Sequence, residues 1–219
     1  MSIKNSHTHT LNLPFPMTYE LEQAPDSKHG LLVLHGYSDR ASSARKRLLG
    51  TESVPSHVVL APNAIFPAPA KIQDHYKEAY AWYFRDPHSG KQMISPDFAA
   101  KALIQLIHEL KLDSIQWTIL GFSQGGFFAP HLIRQGLRAK TIIAAGAAYR
   151  AEAYEGLPPT KVYAIHGAKD EVVPLQLSQS SFEVIKKMGY GADYHLIPDL
   201  GHTLNDESRK LIRTIIQGS

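Results

Sequence analysis

Residues 115–126 read IQWTILGFSQGG, an apolar run, Ile115–Leu120, that breaks at Gly121 and sets Ser123 between Gly121 and Gly125. The run is continuous rather than alternating, which suits a strand covered on both faces. The stretch after Gly126 is compatible with a helix. A serine in so tight a strand-to-helix turn must take a positive φ to lift its hydroxyl above the sheet. Residues two places to either side then come too close for a side chain, and glycine fills both places here. The following helix aims its N-terminus at the hydroxyl and favours negative charge as it develops there.

Working outward, five further apolar runs read as buried strands: Leu31–Leu34, Val58–Leu60, Thr141–Ala145, Val162–Ile165 and Tyr194–Ile197. Helical patterns lie between them. Ser95-Pro96-Asp97 supplies a capping hydroxyl, proline at the first helical position and an acid in the first turn. Beyond it Phe98, Ala102, Leu103, Leu106, Ile107 and Leu110 form one apolar stripe. A second helix is expected from Leu175 to Met188, ending at Gly189, and a third near the C-terminus on Leu204, Leu211, Ile212, Ile215 and Ile216. Strands alternating with helices imply a mostly parallel sheet with helices on both faces. Leu11–Leu13 and Met17–Leu21, flanking Pro14-Phe15-Pro16, read as an antiparallel hairpin at one edge. The proline-rich stretch 61–71 leads within a few residues into Tyr80-Ala81-Trp82-Tyr83-Phe84, so it reads as a long packed loop over one domain spanning 1–219 rather than a linker.

In open α/β sheets ligands bind at the carboxyl ends of the strands, which directs attention to the residues just past each run. A serine hydroxyl needs a base, and the base an orienting acid. With a nucleophile turn of this kind the chain order is serine, acid, histidine. Val162–Ile165 leads into His166-Gly167-Ala168-Lys169-Asp170, and Tyr194–Ile197 into Pro198-Asp199-Leu200-Gly201-His202. Ser123, Asp170 and His202 are therefore the candidate nucleophile, acid and base. Asp199 is the rival acid, and Glu171 adjoins Asp170 but faces another way. His35 and His166 precede the serine and the acid respectively, and read as hydrogen-bonded structural groups. The amides of Tyr37, after the first parallel strand, and of Gln124, after the serine, are the expected donors to an oxyanion.

Composition narrows the field. The chain of 219 residues has no Cys, which excludes a thiol nucleophile, disulfides and Cys-ligated metal. His7 and His9 read as a tail rather than a metal site, no H-E-x-x-H occurs, and neither metal nor cofactor is expected. The net charge of +3 comes from short, scattered basic clusters, so nucleic acid is not an expected partner. No run of 18 apolar residues suggests a membrane span, and the opening MSIKNSHTHT lacks the apolar core of a signal peptide, which leaves a cytoplasmic address as the expectation.

GFSQGG with Ser123, HGAKDEVVP with Asp170, the GH of His202 and the early HGYSD together resemble the phospholipase/carboxylesterase group of α/β-hydrolases, which includes acyl-protein thioesterases. The resemblance runs from about Leu31 to the C-terminus, and APN at 61–63 with Ala81-Trp82-Tyr83 looks like the group's aromatic loop. It implies an α/β-hydrolase fold without a large lid, a Ser–His–Asp triad, no cofactor, and cleavage of carboxylic esters or thioesters of small or lipid-like acyl groups. Trp82, Phe66 and Phe127 would then bind substrate, with Trp82 and Phe66 exposed and available to a lipid, a partner or a homodimer mate. Two departures stand out. Tyr37 and Ser38 occupy places where the group commonly has Leu and Gly, and Phe127 and Phe128 replace small residues. Bulky Tyr37 and Phe127 are expected to shorten the acyl pocket. A small peptidase or amidase on the same fold and a non-catalytic binding protein are the alternative readings.

Overall fold

The computed structural model describes residues 16–24, 26–51, 54–86 and 88–218. In chain order it begins β1 (Tyr19–Glu22), β2 (His29–Leu34), α1 (Ala41–Leu49) and β3 (Val58–Pro62). Three small antiparallel ribbons follow: β4 (Phe66–Pro67) with β7 (Tyr80–Ala81), β5 (Ala70–Ile72) with β6 (His75–Lys77), and β8 (Phe84–Arg85) with β9 (Gln92–Ile94). The remainder is α2 (Pro96–Glu109), β10 (Gln116–Phe122), α3 (Gln124–Arg134), β11 (Ala139–Ala145), α4 (Ala151–Tyr154), β12 (Lys161–Gly167), α5 (Leu175–Lys187), β13 (Gly191–Ile197) and α6 (Asp206–Gln217).

Seven strands form one sheet in the order β1-β3-β2-β10-β11-β12-β13, parallel throughout except for the β1–β3 edge. The antiparallel edge expected near the N-terminus is present in Tyr19–Glu22, whose partner is β3; Leu11–Leu13 lies outside the described residues. Each of the six apolar runs falls in a strand of this sheet, except that Ile115 lies one residue before β10. Several of these strands are longer than their runs, because ladder hydrogen bonds join backbones and admit flanking polar residues and glycine.

The period of two along a strand sorts side chains into two cores. Leu31 and Val33 of β2 pack with Leu48, Leu120 and Ile212 on the α1/α6 face. Leu32 and Leu34 pack with Leu103, Phe128 and Phe182 on the face covered by α2, α3 and α5. The apolar stripe of α2 starts where the capping signal placed it, with the Ser95 hydroxyl accepting from the Asp97 N–H. α5 ends at Lys187 with Met188 as its cap, and Gly189 takes φ +92° beyond it. Among the described residues no helix is long and apolar enough to cross a membrane.

Candidate active site

The turn after β10 has the predicted steric form. Ser123 sits at φ 49°, ψ −118°, outside the regions an L-residue favours. Its N–H donates to the Ala145 carbonyl at 2.8 Å, and its own carbonyl accepts from the Gly126 N–H at 2.9 Å. A Cβ on Gly121 would lie 2.5 Å from the Gly125 backbone, and one on Gly125 would lie 2.4 Å from the Leu34 carbonyl oxygen. Neither position tolerates a side chain while β2 and α3 keep their places. The backbone N–H of Gln124 opens α3, in the first turn where amides lack intrahelical acceptors.

Parallel topology brings the ends of β10, β12 and β13 to one edge, and the three sequence-predicted side chains meet there. Nδ1 of His202 lies 2.8 Å from Oδ2 of Asp170, and Nε2 lies 3.0 Å from Oγ of Ser123. Asp170 is buried, and its Oδ1 accepts from the N–H groups of Val172 and Val173 at 2.9 and 2.8 Å. With Oδ1 so engaged, Oδ2 is the oxygen that faces the imidazole. The carboxylate accepts from Nδ1–H, which leaves Nε2 free to accept from the serine hydroxyl. The Phe122 ring packs against His202 with centroids 4.9 Å apart.

The rival groups stand outside the line from Ser123 to Asp170, although Nε2 of His166 comes within 3.7 Å of Oδ2 of Asp170. Asp199 pairs with Lys169 at 2.7 Å, with both side chains largely in solvent. Glu171 is exposed. Nε2–H of buried His166 donates to the Val173 carbonyl at 2.9 Å, and burial lowers its affinity for a proton. His35 donates from Nδ1 to the Gly36 carbonyl and accepts the Ala64 N–H on Nε2; burial brings its pKa down to about 4.

An open groove of about 300 Å³ leads to Ser123. Tyr37, Gln124 and Phe127 line it. Trp82 and Phe66 are corrections. Trp82 was expected as an exposed wall of the acyl site. It has no accessible surface, stacks between His35 and Phe128 with centroids 4.8 and 4.6 Å away, and donates from Nε1 to the His35 carbonyl. A ring closed on both faces and tied at its nitrogen cannot touch a substrate. Phe66 is half-buried and packs edge-on against Phe84, which in turn meets Tyr37. It buttresses the Tyr37 loop without lining the groove.

Apart from Tyr83, which belongs to its aromatic loop, the sequence reading missed the other groove residues. Tyr83, Arg85 and Arg150 lie on the wall built by the ribbons and α4, and Val172, Val173 and Leu177 on the wall beyond Asp170. It also missed the Gln124 side chain, which accepts from the Trp82 N–H and donates to the Tyr83 carbonyl, both at 2.9 Å. That amide fastens the aromatic loop to the serine turn. Ser38, where the resembled group commonly has Gly, takes φ +53° and donates its hydroxyl to the Ala68 carbonyl at 2.8 Å.

A mostly parallel sheet covered on both faces, with a serine lifted on a strained turn and an imidazole and carboxylate aligned behind it, defines the α/β-hydrolase class. The family model for phospholipase/carboxylesterase matches residues 20–218, and the chain belongs to that family. Among solved structures it is similar to esterase PE8, at 21% identity with a TM-score of 0.70, covering 92% of this chain and 98% of that one. It is also similar to acyl-protein thioesterase 2 of Zea mays, at 17% identity and TM-score 0.70, with the same coverage of 92% and 98%. A carboxylesterase from Mesorhizobium loti aligns at 18% identity and TM-score 0.67, covering 93% of this chain and 95% of that one. A search of curated proteins finds no match.

Proposed function

We propose that this protein is a serine hydrolase of carboxylic esters or thioesters, working through an acyl-enzyme. The observation that carries the reading is the continuous hydrogen-bonded line from Asp170 through His202 to Ser123, which lines an open groove. His202 takes the hydroxyl proton as Ser123 Oγ attacks the substrate carbonyl. Asp170 holds the tautomer and stabilises the imidazolium. The backbone N–H groups of Tyr37 and Gln124 receive the oxyanion. His202 then protonates the leaving oxygen or sulfur, and water repeats the sequence to release the acid. Because Nε2 must be unprotonated to act, activity falls in acid.

The test is a panel of matched oxygen esters, thioesters and amides with wild type and Ser123→Ala. Wild type should turn over esters or thioesters faster than amides, and Ser123→Ala should lose about 10⁴-fold or more in kcat. Ester hydrolysis by Ser123→Ala at the wild-type rate would remove the mechanism. Faster turnover of amides would favour the peptidase or amidase reading.

A further inference from the structure

The groove at Ser123 carries two arginines, Arg85 and Arg150, and no Asp or Glu among its described lining residues. A lining with this charge suits an anionic group better than a hydrocarbon chain. Arg150 is partly buried and pairs with Glu152, whose carboxylate stands 3.8 Å away with most of its side chain in solvent. Burial raises the Tyr83 phenol to about 12, and the positive field of Arg150 acts on it in the opposite sense. Tyr83 and Arg150 line the groove together. Arg85 leads from β8 and lies against Gly90, in the turn joining β8 to β9. A recess of about 60 Å³ adjoins the groove, and Tyr83, Phe127, Arg85 and Arg150 border both, with Glu152 among the recess residues.

The rest of the lining differs in chemistry. Val172 and Val173 belong to the loop whose amides hold Asp170, which in turn holds His202. On the serine-hydrolase reading the leaving group, protonated by His202, takes the side of Val172 and Val173. On the same reading the acyl arm takes the Phe127 side, which carries the guanidinium groups. A guanidinium fork matches a carboxylate in shape and charge.

We propose, building on the serine-hydrolase reading, that the preferred substrate is an ester or thioester of a short dicarboxylic acid, whose free carboxylate is bound by Arg150 and Arg85. The test compares kcat/KM by proton release for ethyl hydrogen glutarate, its neutral counterpart ethyl pentanoate, and the pentanoyl ester of glycolic acid, which moves the carboxylate to the leaving side. Wild type should prefer ethyl hydrogen glutarate to ethyl pentanoate by about 10- to 100-fold, the range of a charge-assisted hydrogen bond. In Arg150→Gln and Arg85→Gln that ratio should fall toward unity, and in wild type it should shrink with added salt. A ratio at or below one in wild type, or a preference that survives both substitutions, overturns the inference while ethyl pentanoate turnover leaves the hydrolase reading standing. A preference for the glycolate ester overturns the acyl placement. Failure to hydrolyse any of the three, with Ser123 inert to a fluorophosphonate, removes the hydrolase reading and this inference with it.

Discussion

Asp170 divides its two oxygens between two tasks. Oδ1 anchors the turn through Val172 and Val173, and Oδ2 orients His202. In Asp170→Asn the carboxamide oxygen can keep the turn, which leaves the NH₂ group facing Nδ1. Nδ1 must then accept, the ring proton moves to Nε2, and Ser123 loses its base. We expect kcat to fall about 10⁴-fold with the urea midpoint nearly unchanged. A loss under about tenfold would show that the carboxylate does not set the tautomer. The same scale shows where reading single residues succeeds and stops. Gly121 and Gly125 were legible because a steric rule local to the turn demands them. Trp82 was not, because an aromatic in a run of aromatics reads alike whether it faces solvent or, as here, lies between His35 and Phe128.

At the scale of elements, the C-terminal end of β2 is tied to the turn after β3 by one imidazole. His35 keeps this tie only when neutral, since Nε2 must accept the Ala64 N–H. Burial is the main reason its pKa falls from 6.5 to about 4, against the raising effect of the bond to Gly36. Between those values the unfolded chain binds the proton that the folded chain refuses. Stability from this group is therefore complete above pH 6.5 and is lost as pH falls toward about 4, by about 3 kcal/mol at most. Urea unfolding over that range should show a smaller acid loss in His35→Gln than in wild type, because an amide has no proton to gain. An equal loss in both would contradict the assignment. Elements with long apolar periodicity, such as β10 and α2, were legible in the sequence. The three ribbons within 66–94 were not, since strands of two or three residues carry too few side chains to show a period.

Across the whole molecule, the site exists because a parallel sheet delivers chain segments far apart in sequence to one edge. Ser123, Asp170 and His202 could be anticipated because each follows a strand in a fixed order. Arg85 and Arg150 could not, because one hangs from a ribbon outside the sheet and the other from the loop before α4, and only packing brings them to the same wall. Val172 and Leu177, elsewhere in the lining, were hidden for the same reason. The claim beneath the proposed function is that this convergence activates one hydroxyl. Reaction with a fluorophosphonate, followed by intact mass and peptide mapping, tests it most directly. One adduct on Ser123, formed in wild type and absent from His202→Ala, is the predicted result. No adduct, an adduct on another residue, or labelling of His202→Ala at the wild-type rate would contradict it.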